Sequence, residues 1–442
     1  VKIIVGALLS VAILTQRPTT TGWSAFPFDG FVPENGQGVH DPTVCEVGGK
    51  FFCLCTNGNG FGMMRTSTDL VHWQVEGPVM DATPEWLLKA IPQHHSIWAP
   101  EASRAGSGLR MYYCASATFG KNNSWIGYAE CPHFDPARPK AGWVDRGELI
   151  HSAEGKDNFN AIDPSVLTAP DGTQWMFFGS YWSGIYVTEL DPATGALKHP
   201  DHGEMTLVAR NPRDRANSIE APAAIYRDGY FYLTVNWGLA AQGVRSTYRL
   251  MVGRSKSPTG PFVDARGVPM TDGGHEVLLD SSSPMFGPGG GSIFRDAAGN
   301  WRLSYHYYDA RAWGRQWGLP TLQIRDILWS PDGWPLPGLP VCPQRDRFCS
   351  HTHGSPEGRW LHQVDFGAVR TVELRHDGTI AVDGAASGRW TLSKADLDLH
   401  WARGSETYDD KLQLAYGGNY YVGRNGSGLL IRGIREAAAR SD

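Results

Sequence analysis

Three carboxylates in this 442-residue chain precede a proline by one or two residues at the same point of a repeat: Asp41-Pro42, Asp163-Pro164 and Glu220-Ala221-Pro222. A single acid in such a place is ordinary turn chemistry, its oxygens capping a backbone amide. Three acids at matching points of a repeat are different, because folding gains nothing by gathering like charges. Carboxyls in unequal surroundings can move protons in both directions. One keeps its proton near neutral pH and protonates a leaving oxygen, while another is ionised and activates water. That pair is the equipment for breaking a glycosidic bond.

The elements that must position these acids recur along the chain. Prolines at 42, 100, 164 and 222 open apolar, aromatic runs, and Gly287-Pro288-Gly289-Gly290 is a degenerate fifth copy. Each copy is followed by a Gly turn and a dense aromatic strand, as in Gly48-Gly49-Lys50-Phe51-Phe52 and Asp228-Gly229-Tyr230-Phe231-Tyr232. Such turns between apolar runs signal hairpins. A period near sixty with several short strands per unit predicts a five-bladed β-propeller. First strands of a propeller line the axis, so acids distant in sequence converge there. The predicted blades run 38–78, 95–143, 160–205, 218–272 and 287–337.

The Pro- and Gly-rich stretch Gly333–Pro340 reads as a break in regular structure. Beyond it, eight short alternating runs between Trp360 and Gly433 predict a small antiparallel barrel. The predicted organisation is a leader and linker over 1–22, a propeller over 23–340 and an accessory barrel over 345–442. The leader rests on Lys2 and the apolar run Ile3–Leu14, too short to span a membrane. A packed N-terminal strand is the alternative. A net charge of −5 argues against nucleic acid or an anionic membrane as partner. The seven cysteines show no zinc spacing, and their odd number leaves one without an intrachain partner. Cys342 and Cys349 flank a short polar loop and could pair in an exported protein.

Residues 38 to about 337 resemble family 43 of the glycoside hydrolases, and within it the α-1,5-L-arabinanases. The resemblance is carried by Val39-His40-Asp41-Pro42, Trp98-Ala99-Pro100, Ala161-Ile162-Asp163-Pro164, Gly179–Ile185, Glu220-Ala221-Pro222, Ser246-Thr247-Tyr248 and Tyr305–Asp309. The C-terminal part is similar to the extra barrel of the longer extracellular arabinanases. The resemblance implies inverting hydrolysis of arabinan, with Asp41 as general base, Asp163 as pKa modulator and Glu220 as general acid. It implies Trp98, Phe119, Asn160, Ser180 and Trp182 as sugar contacts. It also implies His306 as ligand of one axial calcium, otherwise largely water-coordinated. The residues alone do not require that metal: a strand histidine among tyrosines is ordinarily packed and hydrogen-bonded, and calcium prefers oxygen. The expected enzyme is a monomer, secreted or periplasmic, acting on pectic arabinan without nucleic acid or membrane.

Glu101 stands where the family often has Asp, Gly290 where many arabinanases have His, and Val235–Gly243 departs from the usual segment. These differences leave open an exo-acting arabinofuranosidase or xylosidase on the same fold. A carbohydrate-binding propeller without catalysis is the non-enzyme alternative, but a lectin needs no proton donor.

Overall fold

The computed structural model describes residues 25–56, 62–92, 96–199, 204–312, 319–403 and 406–436. The leader and linker expected over 1–22 lie outside the described residues.

Five four-stranded antiparallel sheets and one closed eight-stranded barrel make up the described chain. The first strands of the sheets are His40–Val47, Trp98–Ala105, Ser165–Thr168, Ile219–Arg227 and Met285–Arg295. Each packs on the first strand of the next blade, and the fifth returns to the first, closing a ring. The hairpins follow from their turns. Val47 pairs with Lys50 across Gly48-Gly49, and Arg227 with Tyr230 across Asp228-Gly229. All four turn residues have positive φ, as a two-residue turn matched to strand twist requires.

One local feature recurs at the head of the inner strands. The residue before each repeat proline is left-handed: Asp41 (φ 48°), Ala99 (40°), Asp163 (58°), Ala221 (49°) and Gly287 (55°). Residues before proline ordinarily stay extended, so this is a held conformation. In blades one, two, four and five the pairing register slips at this point, as in a bulge.

The first blade ends at Pro78 as the sequence suggests, and the other four end later. The outermost strands are Gln74–Pro78, Val144–Ser152, Thr206–Ala209, Glu276–Leu279 and Pro335–Pro340. Thr206–Ala209 and Glu276–Leu279 have only four residues each and Pro335–Pro340 is buried throughout, so alternation marks none of these three. The Pro-rich stretch read as a break is itself the edge strand Pro335–Pro340, paired with Pro320–Trp329. Proline is admissible there because an edge strand has one unpaired side.

The barrel's eight strands lie between Gly358 and Arg435. It shares a core with blades four and five: Tyr420, Val422, Leu430 and Ile434 pack with Tyr232, Trp334, Leu336 and Leu339. A buried ionic cluster joins the two parts. The Asp29 carboxylate accepts from Arg325 of blade five at 2.8 Å and from Arg432 of the barrel, and all three are within 1 % of full burial. Arg432 Nε also donates to Gln363 at 2.7 Å. The two guanidinium groups outweigh the cost of burying Asp29 and hold its carboxyl below its ordinary pKa.

All seven cysteines are free thiols. Cys342 and Cys349 do not pair. They stand at the two ends of the helix Pro343–Cys349, with Cys342 capping its first turn. Seven helical steps of about 1.5 Å put them roughly 10 Å apart, beyond disulfide reach.

Removing one guanidinium leaves Asp29 buried with half its compensation. Arg432→Met should cost about 3–5 kcal/mol in urea unfolding. Asp29→Asn, which leaves two cations facing each other, should also destabilise.

Candidate active site

The recurrent bulge delivers the acids to the hub. Asp41 and Asp163 are themselves the left-handed residues, while Glu220 comes one residue earlier, beside left-handed Ala221. Glu220 is therefore the counterpart of His40, Trp98 and Ile162, not of the two aspartates. The three acids occupy two adjacent positions of the repeat.

They meet in one cleft of about 810 Å³ on the face where the inner strands begin. The expected sugar contacts Trp98, Phe119, Asn160, Ser180 and Trp182 line the same cleft. Phe119 is 81 % exposed and stands edge-to-face on Trp98, with ring centroids 6.4 Å apart. Asn160 is buried, and its Oδ1 has no hydrogen-bond partner. Leu239, from blade four, is an exposed apolar residue of the cleft lining. The lining is drawn from blades one to four, so the cleft extends across the hub.

The three acids have different environments. Asp41 Oδ2 takes the Thr56 hydroxyl at 2.9 Å and His40 Nδ1 at 2.8 Å. Burial works against its ionisation, but His40, His306 and Thr56 together hold its pKa below the ordinary value. Asp163 is pushed well above the carboxylate range, first by burial and then by Glu220 and Asp41. Its Oδ2 accepts the Ala221 amide at 3.1 Å, and its own amide donates to Cys114 Sγ at 3.4 Å. Glu220 is raised by burial, with repulsion from Asp41 adding to it. The Ser180 hydroxyl donates to Glu220 Oε2 at 2.8 Å and opposes that rise, as does Tyr248. Burial and mutual repulsion thus favour the protonated form of Asp163 and Glu220, while the surroundings of Asp41 favour its carboxylate.

His306 is fully buried beside this group. Its Nδ1 accepts the Asp41 amide at 3.2 Å, its ring lies 3.7 Å from that of His40, and burial keeps it neutral. Its Nε2 is buried without a partner. Ligand atoms of His40, Asp41 and His306 all lie within 4.8 Å of one another. The expected single ligand thus has two neighbours of ligating type. Gly290, also left-handed, sits against them: a Cβ there would come within 2.4 Å of Asp41 Oδ1. Glycine at this point is therefore what lets the backbone approach the acid.

Beneath the acids the axis narrows to a cavity of about 30 Å³ lined by Asp41, Asp163, Glu101 and Gly290 among others. Burial lifts the Glu101 carboxyl to about 8, against a hydrogen bond from Thr43 at 2.9 Å. The unusual acid thus adds no full charge to the hub at neutral pH.

Sequence reasoning passed over Thr56, Tyr248 and the role of His40. His40 and Tyr248 lay inside noted motifs but were assigned nothing. Thr56 carries no motif. Only the hairpin register, which sets it opposite His40, would have found it.

Residues 35–335 match the model of a family described as glycosyl hydrolases family 43. The chain is 36% identical over 301 residues to an extracellular endo-α-(1→5)-L-arabinanase of Bacillus subtilis, covering 67% of this chain and 87% of that one. It is 31% identical over 304 residues to an extracellular exo-α-(1→5)-L-arabinofuranosidase of Cellvibrio japonicus, covering 67% and 85%. The crystal structure of an endo-1,5-α-L-arabinanase from Thermotoga petrophila superposes with a TM-score of 0.72 at 23% identity. It covers 92% of this chain and 100% of its own, so the likeness of fold reaches into the barrel.

The Ser180 hydroxyl favours ionised Glu220. Ser180→Ala should therefore move the Glu220 titration to higher pH, read by carboxyl-carbon NMR. An unmoved or lowered titration would contradict this electrostatic account.

Proposed function

The chain belongs to family 43 of the glycosyl hydrolases, and on that premise we propose that it cuts α-1,5-linked L-arabinan within the chain, with inversion. The observation that carries this reading is the convergence of Asp41, Asp163 and Glu220 in one cleft with unequal surroundings, Asp41 alone being paired with an imidazole and a hydroxyl. The relatives include both endo- and exo-acting enzymes. A cleft lined from four blades, with exposed Phe119 and Leu239 in its lining, favours internal cutting, because a polymer can lie across it.

The roles follow from the environments. We assign Asp41 as the base that takes a proton from water, since His40 and Thr56 keep it ionised. Glu220 is the acid that protonates the leaving oxygen, since burial and Asp41 keep its proton on. Asp163 holds the Ala221 backbone beside Glu220. Trp98 and Phe119 offer apolar faces to sugar rings. Asn160 Oδ1 offers an acceptor to a hydroxyl. Residues 23–340 are taken as the catalytic unit and 345–442 as its accessory. The protein acts outside the cytoplasm as a monomer, a location suggested by its extracellular relatives.

Calcium at His306 belongs to the same proposal. The orphaned Nε2 and the neighbouring Asp41 carboxylate favour a small cation. Water would have to supply most of its shell, because calcium wants six or more oxygens. The Nδ1 lone pair is used by the Asp41 amide, so Nε2 becomes a ligand only if its proton moves to Nδ1 and that hydrogen bond is given up. When bound, the ion would supply positive charge beside Asp41; the proton transfers above belong to the side chains alone.

Debranched arabinan should yield a spread of oligosaccharides early in the reaction, and arabinose alone would mean exo action. Glu220→Ala should lose about a hundredfold or more in kcat, as expected for a general acid. Equal turnover would remove Glu220 from the role. The pH–kcat/KM curve should be bell-shaped. Its acid limb, set by Asp41, lies below the ordinary carboxylate range, and its alkaline limb, set by Glu220, lies above it. Chelation, or His306→Ala, should lower turnover while the fold survives. Unchanged turnover would leave the ion no part in activity.

A further inference from the structure

The cleft loop Leu239–Gln242 is connected to Asp41 by an unbroken run of hydrogen bonds. The Ala241 amide donates to the Tyr308 hydroxyl at 2.9 Å. That hydroxyl lies 3.1 Å from His40 Nε2. His40 Nδ1 lies 2.8 Å from Asp41 Oδ2. The bond to Asp41 has a fixed direction. An ionised carboxylate only accepts, so His40 Nδ1 carries a proton. Nε2, the other ring nitrogen, faces the Tyr308 hydroxyl, which can accept from it or donate to it. The Tyr308 oxygen accepts the Ala241 amide, which holds that hydroxyl in place against the ring. The His40 ring is further clamped by stacking on fully buried His306.

We infer that His40 and Tyr308 are positioning residues: they set the orientation of the Asp41 carboxylate and tie it to the loop that touches substrate. The inference rests on the reading of Asp41 as the base. Its physical content is angular. Asp41 sits on a left-handed backbone at the end of a bulge, and its Oδ2 takes donors from Thr56 and His40. Two donors on one oxygen fix the carboxylate plane, and with it the direction in which the base meets water. The loop end of the run gives this a consequence. Tyr308 is buried, whereas Leu239 is half-exposed in the cleft. A sugar that presses on the loop acts on the amide that holds Tyr308, and through it on His40. No proton travels along the run.

The test is a set of single and double variants assayed on debranched arabinan. His40→Ala should lower kcat about a hundredfold, the scale of a 1 Å misplacement, with KM within about threefold. His40→Asn places an amide N–H where Nδ1 stood and should recover about tenfold of that loss, the worth of one bond to a charged group. Tyr308→Phe should lower kcat about tenfold in the wild-type background, yet by less than about twofold on top of His40→Asn, which lacks Nε2. All variants should melt within a few degrees of wild type. The inference is overturned if His40→Asn is no better than His40→Ala, if the losses fall on KM, or if Tyr308→Phe costs the same in both backgrounds. Absence of wild-type turnover on arabinan would overturn the reading of the site instead.

Discussion

A left-handed residue locked in front of a proline is the constraint on which the hub depends. Proline has no amide to give to the ladder, and the residue before it is ordinarily driven to extended backbone. Here that residue is left-handed in every blade. The strand therefore starts with a kink, and side chains that would alternate across the sheet are turned toward the axis. With five inner strands packed in a ring, two adjacent kink positions supply Asp41, Asp163 and Glu220, with His40 and Trp98 beside them. In the fifth blade the same constraint appears stripped of side chains. Gly287 takes the left-handed place, and Gly289 and Gly290 admit neighbours that any Cβ would strike. The empty blade makes room for Asn236, Tyr248 and Asp41.

Crowding acids at a buried hub has one electrostatic solution, which is inequality. Three charged carboxylates would repel one another where water screens least. Asp41 has an imidazole as well as a hydroxyl for a partner, whereas at Asp163 and Glu220 burial outweighs the donors they receive. The resulting asymmetry is what proton transfer in two directions requires, so the burial needed to close the ring also sorts the acids by task. Glu101 follows the same rule: burial lifts its carboxyl to about 8, which favours the neutral form at neutral pH.

Much of this was legible in the chain, and the illegible parts share a cause. Repetition of Asp-Pro and Ala-Pro with aromatic hairpins exposed five blades, because proline and glycine act through local backbone sterics. The barrel's eight strands were equally plain from alternation. Four of the blade edges were not, since an edge strand has only one partner; Pro335–Pro340, though buried throughout, looks like a linker until its pairing with Pro320–Trp329 is known. Of the site, the acids could be read because they repeat. Glu220 seemed equivalent to the aspartates until the kink revealed the one-residue offset. Thr56, Tyr248 and Tyr308 could not be read as partners of particular acids, because those contacts are made across hairpins and between blades.

The barrel's place in this arrangement follows from charge as well as packing. Arg325 belongs to blade five, Asp29 to the segment that leads into blade one, and Arg432 to the barrel. That segment continues to Gln37, which bridges to Thr321 of blade five, while Glu34 bridges to His72 of blade one. The leading segment is thus a clasp across the seam where the ring closes. Its carboxylate is buried under two guanidinium groups, one from each body. A buried carboxylate is tolerable only when its compensation is complete, so the clasp is fully compensated only when the barrel is docked. The barrel holds none of the acids lining the cleft, yet it completes the seam between the first and last blades. On either side of that seam stand His40 with Asp41 and His306 with Tyr308. The accessory body therefore bears on the hub through ring closure, without touching the cleft acids.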